Sequence, residues 1–134
     1  DHDLTLNLLK LAKAAGCKYL ALISASGAAA SSIFLYQKTK GKLENDVIEL
    51  NFDALRIYRP AMIQVRRKEE RIWEEIALIV APILDICSLG RAAVKVDRLA
   101  DSMVKDALIY GTSGNLTAEK RLVFISNKDI KSTR

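Results

Sequence analysis

The sequence predicts a doubly wound α/β fold, a parallel sheet with helices on both faces. Three observations lead there. Tyr19 to Ser24 and Leu55 to Arg59 are short apolar runs that do not alternate with polar residues, the pattern of strands covered on both sides. Stretches with apolar residues at helical spacing stand before and between them. The resulting order of helix, strand, helix, strand is that of successive crossover units.

The first helix is expected over Leu4 to Ala15, with Leu4, Leu8, Leu11, Ala12 and Ala15 at helical spacing. Asp3 can cap its start and Gly16 its end. After the strand Tyr19–Ser24 and a small-residue loop, Gly27 to Ser32, a second helix is expected from about Ser32 to Leu50, with Leu35, Leu43, Val47 and Leu50 near one face. Gly41 lies inside it. Glycine there costs about 1 kcal/mol relative to alanine, so it implies close approach by another backbone or a ligand. The second strand, Leu55 to Arg59, ends at Pro60, which cannot donate to a ladder.

Met62 to Glu70 reads as a polar, basic loop, of the kind that faces the ligand crevice at the carboxyl ends of strands. Arg71 to about Leu84 reads as an apolar helix and Ala93 to Val96 as a brief extended piece. Asp97 caps a helix from Arg98 to Tyr110 that buries Leu99, Met103, Ala107 and Leu108, and Gly111 stops it. Gly114 and Asn115 mark a loop before a last strand, Arg121 to Ile125. A polar tail occupies 127–134. The organisation is a single domain, 1–126, with no internal repeat.

Composition narrows the chemistry. The 134 residues carry 21 basic and 16 acidic side chains, a net charge of +5 and a pI near 9.3. That balance suits a polyanionic partner or the phosphates of a cofactor. The basic residues are dispersed, however, and the cluster Arg66-Arg67-Lys68 is followed at once by Glu69-Glu70, so no specific nucleic-acid binding is expected. Cys17 and Cys87 stand alone and read as buried thiols of a reducing compartment. His2 is the only histidine and falls at a frayed terminus, which leaves no material for a metal centre or a histidine triad. The longest apolar run, Ile76 to Leu84, contains Pro82 and is too short for a membrane span; no signal peptide is visible.

The stretch Ser24 to Gly41 holds the chemistry. On a helix the four-residue spacing stacks Tyr36 under Lys40. A free phenol is a poor acid and base near neutrality, with a pKa of about 10, and a neighbouring ammonium favours its phenolate. Such a pair can exchange a proton with a carbonyl or alcohol oxygen, while a hydroxyl at the preceding strand end, Ser24, holds that oxygen still. The alternative reading packs Tyr36 on the sheet and leaves Lys40 in water.

With these residues in place the sequence resembles an atypical short-chain dehydrogenase/reductase, most closely the Tat-interacting-protein-like oxidoreductases, whose fungal relatives are mitochondrial. The likeness runs from about Asp3 to Gly111. It is clearest in AKAAGCKYLALIS, in S-x-x-G-A-x-x-S-S-x-F-L-Y-x-x-x-K-G from Ser24 to Gly41, and in FDALRIYRP ending at Pro60. The resemblance implies the carboxyl-terminal half of a Rossmann-type sheet, about three parallel strands in the order Tyr19–Ser24, Leu55–Arg59, Arg121–Ile125. It assigns catalysis to Ser24, Tyr36 and Lys40, and cofactor contacts to Tyr36, Lys40, Arg59, Pro60 and Ala61. Ser26 competes with Ser24 for the serine role, but the separation of Ser24 from Tyr36 suits the family better. Ala25, Ala29, Ala30 and Ala61 depart from the relatives' pattern and bear on substrate contacts.

No G-x-G-x-x-G turn occurs in the chain, so the pyrophosphate site of a dinucleotide is expected to lie outside it. The implied activity is NADP-dependent reduction or oxidation of a small carbonyl or alcohol, with NAD as the other cofactor; the isolated chain is expected to be inactive. A second reading is a non-catalytic regulatory or scaffold protein acting through protein contacts, and a third is a basic module for anionic surfaces. The exposed edge of the first strand invites self-association into a homo-oligomer. The expected location is cytoplasmic, with mitochondrial association as the alternative.

Overall fold

The computed structural model describes residues 2–64, 93–113 and 121–132. The helix expected over Arg71–Leu84, the loop at Gly114–Asn115, the basic cluster at Arg66 and Cys87 lie outside the described residues. Three parallel strands, β1 (Tyr19–Ile23), β2 (Ala54–Arg59) and β5 (Leu122–Ser126), form one sheet in the order β1-β2-β5. Leu20 pairs with Leu55 and Ile57 with Phe124. Spatial order follows chain order, as the sequence predicts.

Helices cover both faces. α1 (His2–Ala14) and α2 (Leu35–Glu49) enclose one core with the strands, built on Leu22, Leu43, Val47, Phe52, Leu55 and Ile57. α3 (Val96–Ser113) and α4 (Asn127–Ser132) close the other, around Tyr58, Val94, Leu99, Ile125 and Ile130. Alternate β2 residues serve alternate cores, Leu55 and Ile57 on one side and Tyr58 on the other, because side chains of a strand point to opposite faces. α1 stops at Gly16, whose φ of +86° favours glycine.

Several expectations are corrected. The segment begun at Met62 is not all loop: β3 (Met62–Gln64) pairs in parallel with β4 (Ala93–Lys95) as a separate two-stranded sheet. α2 starts at Leu35 rather than Ser32, and Leu35 is exposed. In α1 the stripe Leu4, Leu8, Leu11 faces outward while Leu6 and Leu9 pack on the core. Leucine recurs on two sides of this helix, so spacing alone does not choose the buried one. Gly111 does not stop α3, which runs on to Ser113.

α3 also turns polar residues inward. Ser102 is buried, Ala107 and Leu108 are exposed, and the Tyr58 hydroxyl bonds the Asp106 carboxylate. A buried phenol needs a partner, and that need overrides the apolar count that placed Leu108 inside. Residues 127–134 are not simply a tail. Ser126 Oγ donates to Asp129 Oδ2 at 2.5 Å and Asp129 N donates back to Ser126 Oγ at 3.4 Å, a reciprocal cap that starts α4 and sets Ile130 in the core. Cys17 is exposed, its thiol donating to the Tyr19 carbonyl at 3.1 Å. His2 is helical rather than frayed, with Nε2 at 2.8 Å from Asp46 Oδ2.

Burial pushes the Tyr58 phenol up, and the bond to Asp106 adds to this. An unfolded chain loses that proton at about pH 10, whereas the folded one keeps it. Folding then binds more protons than unfolding above about pH 10, so the stabilising contribution is complete below that pH and falls as pH rises beyond it. We expect urea midpoints to decline above about pH 10. Tyr58→Phe should start about 1 kcal/mol less stable and decline less steeply; an unchanged slope would contradict this linkage.

Candidate active site at the carboxyl ends of β1 and β2

The β1–β2 ladder continues past both strands. Ser24 N donates to the Tyr58 carbonyl at 2.8 Å and Ser26 N to the Pro60 carbonyl at 2.9 Å. These bonds hold the Ser24 loop beside buried Pro60, at the strand ends where open α/β sheets bind ligands. Ser24 is buried and its Oγ has no hydrogen-bond partner among the described residues, whereas Ser26 is exposed. A buried hydroxyl left unpaired costs about 1–3 kcal/mol, which sets Ser24 Oγ apart from the satisfied polar groups around it.

Tyr36 and Lys40 stand on the first turns of α2. The Lys40 ammonium lies over the Tyr36 ring, 5.9 Å from its centroid, as the four-residue spacing predicts. Tyr36 is exposed and Lys40 half-buried. The arrangement therefore offers an accessible phenol with a half-buried cation above its ring, not a tyrosine packed into the sheet.

Gly41 decides where that phenol stands. A Cβ at this position would sit 2.3 Å from the Ala29 carbonyl carbon and 2.4 Å from Ala30 N. The loop backbone thus lies directly on α2, and of the two approaches the sequence allows, it is backbone that makes contact. Gln37, one helical turn before Gly41 on the same face of α2, fastens the loop as well. Its carbonyl accepts from Ala29 N at 3.2 Å, and its side-chain oxygen accepts from Ser32 Oγ at 3.0 Å. The sequence reading passed over Gln37, although a polar residue inside the Tyr-x-x-x-Lys turn facing a serine-rich loop was the available signal.

Arg59 and Ala61 are held differently. Arg59 is clamped by Glu44 of α2, Nε to Oε1 at 3.0 Å and Nη2 to Oε2 at 2.5 Å, and its guanidinium stacks 4.3 Å from the Phe124 ring centroid. Glu44 is buried, and its carboxylate holds the Arg59 guanidinium pKa above the ordinary value. Arg59 thereby ties β2 to α2 beneath the site. Exposed Ala61 donates its N–H to Asn127 Oδ1 at 3.2 Å, linking the β2 end to α4. Among the described residues no group of three His, Cys, Asp or Glu side chains could hold a metal ion, and no helix is long and apolar enough to cross a membrane.

The three parallel strands flanked by helices form half of a Rossmann-like fold, with Ser24 just past β1 and the Tyr36–Lys40 pair in the first turns of α2, and the chain's homologues support membership of the short-chain dehydrogenase/reductase-like class. No family model matches the chain. Its curated relatives include protein HTATIP2 of Rattus norvegicus, 34% identical over 129 residues, covering 96% of this chain and 53% of the relative. The mitochondrial protein fmp52 of Emericella nidulans is 43% identical over 84 residues, 63% of this chain and 36% of the relative. The mitochondrial protein FMP52 of Meyerozyma guilliermondii is 29% identical over 137 residues, covering 99% of this chain and 57% of the relative. These homologues match the Tat-interacting-protein-like family, and the chain spans about half the length of HTATIP2.

Gly41→Ala discriminates between two effects. In an open helix the change gains about 1 kcal/mol. Here the new carbon meets backbone that cannot step aside, and overpacking of this kind costs about 1–3 kcal/mol. We expect a net loss of stability in urea unfolding, with increased amide exchange at Ala29; a stabilised variant would mean that the loop is not seated on α2.

Proposed function

We propose that this chain is the nicotinamide-side half of an NADP-dependent oxidoreductase acting on a small carbonyl or alcohol, with NAD as the other candidate cofactor. The observation that carries the reading is the Lys40 ammonium over the accessible Tyr36 ring, close in the chain to the buried, unpartnered Ser24 hydroxyl. In the reductive direction the Tyr36 phenol gives its proton to the substrate oxygen, and Lys40 stabilises the negative charge left on the phenol oxygen. Ser24 Oγ donates a hydrogen bond to the same oxygen and fixes its position. A reduced nicotinamide dinucleotide would supply the hydride; Pro60 and Ala61 would flank it, and Lys40 would offer a donor to its ribose. Arg59 supports this wall through Glu44.

The residues suit the nicotinamide end of such a cofactor and supply nothing for its pyrophosphate, since the chain contains no glycine-rich strand-turn-helix. Calorimetric titration of the 134-residue chain with NADPH should therefore give no binding at micromolar concentration; a micromolar Kd would refute the division of the site. Where the chain is joined to a glycine-rich half, Tyr36→Phe should lower kcat by about a hundredfold or more. Wild-type turnover in that variant would remove Tyr36 from the mechanism.

A second reading, a regulatory protein that works through protein contacts, is supported by β1. It pairs on one side only among the described residues, and an open strand edge is a template for another chain. Self-association through this edge into a homo-oligomer belongs to the same reading. For location we favour mitochondrial association over free cytoplasmic placement, on the printed names of the fungal relatives.

A further inference from the structure

Between Ser24 and Tyr36 the chain makes two consecutive turns. In the first, Ala28 N donates to the Ala25 carbonyl at 3.1 Å, with Gly27 third in the turn at φ +76°, a conformation that glycine adopts freely. In the second, Ser32 N donates to the Ala29 carbonyl at 3.0 Å. Different elements hold the two. The bond from Ser26 N to the Pro60 carbonyl ties the first turn, and Ser24 with it, to the end of β2. The second rests on α2 at Gly41 and leads on to Tyr36. The peptide between Ala28 and Ala29 is the joint.

Gln37 touches both turns. Its carboxamide lies against Gly27, where an added Cβ would stand 2.9 Å from Nε2 and 3.5 Å from Cδ. Its backbone carbonyl accepts from Ala29 N at 3.2 Å, at the joint itself. Its Oε1 accepts from Ser32 Oγ at 3.0 Å, and that hydroxyl oxygen in turn accepts from Phe34 N at 3.2 Å, which carries the connection to the start of α2. A half-buried amide packed and bonded in this way is locked in its rotamer.

The chemistry proposed above asks Ser24 Oγ and the Tyr36 phenol to meet one substrate oxygen, and the two groups are carried by different turns. A misplacement of about 1 Å costs about a hundredfold in rate even when its cause lies away from the reacting atoms. We infer that Gln37 is a positioning residue of this site, whose carboxamide bridges the two turns and so fixes the Ser24 hydroxyl relative to the Tyr36 phenol. The effect on rate rests on the oxidoreductase reading; the bridge does not.

The bridge is read by amide exchange in the 134-residue chain. Gln37→Leu keeps the backbone carbonyl and much of the volume but removes the carboxamide. Exchange at Ala29 and Ser32 should quicken about fivefold or more, the equivalent of one lost hydrogen bond. Ser24 and Ser26, held on β2, and Val47 and Ile57 in the core should keep their wild-type rates. Unchanged exchange at Ala29 and Ser32, or equal acceleration at Val47 and Ile57, would overturn the inference. The rate is read where the chain is joined to a glycine-rich half, with saturating NADPH and benzaldehyde as the probe. There Gln37→Leu should lower kcat about tenfold or more and change KM less than about twofold, because the contacts it misplaces tighten in the transition state. Gln37→Glu keeps an acceptor for Ser32 and should recover most of the loss. Ser32→Ala should lower kcat by itself and add nothing to Gln37→Leu; additive losses, or no recovery in Gln37→Glu, would sink the positioning role. If the joined wild type turned over no carbonyl, the oxidoreductase reading and the effect on rate would fall together, and the exchange result would still decide the bridge.

Discussion

The seating of the Ala29–Ala30 backbone on Gly41 is the contact on which the rest of the site depends. It brings loop and helix closer than any side chain at position 41 permits. Because the loop leaves β1 through Ser24 and enters α2 just ahead of Tyr36, this one approach sets the serine end and the tyrosine end of the site from a common anchor. The Gln37 bonds hold the same loop one turn earlier on the same face of α2. The chain accepts glycine's helical penalty here in return for a fixed geometry.

A second fastening runs beneath the first. Glu44 is buried in α2 and offers its two carboxylate oxygens to Arg59 at the end of β2. A bidentate guanidinium pair is directional, so α2 is held in rotation as well as in distance. Leu43 and Val47 beside Glu44 pack on Leu22, Leu55 and Ile57. Apolar burial draws the helix to the sheet, and the ion pair selects the angle at which Tyr36 and Lys40 emerge. On the opposite face Tyr58 and Asp106 do comparable work between β2 and α3, where a phenol among apolar neighbours must find an acceptor.

Much of this was legible beforehand. Unbroken apolar runs marked Tyr19–Ser24 and Leu55–Arg59 as covered strands and set the class, while the order of the three parallel strands came from the family resemblance. The four-residue spacing of Tyr36 and Lys40 fixed their stacking because helical geometry is local, and Gly41 signalled a close approach. The faces of α1 and α3 were not legible. Leucines on two sides of α1 satisfy a helical pattern equally well, and in α3 the inward residues are those that Tyr58, distant in the chain, requires. The helix of 127–132 lay hidden because a Ser-x-x-Asp cap with a single buried Ile130 is a weak periodic signal. By itself the sequence determined what depends on near neighbours: the main helices and strands and the phenol–ammonium pair. Only tertiary structure decided which polar groups went inside, that Arg59 answers Glu44 and that Ser24 is left unpaired, because the cost of a buried charge or hydroxyl is set by groups far along the chain.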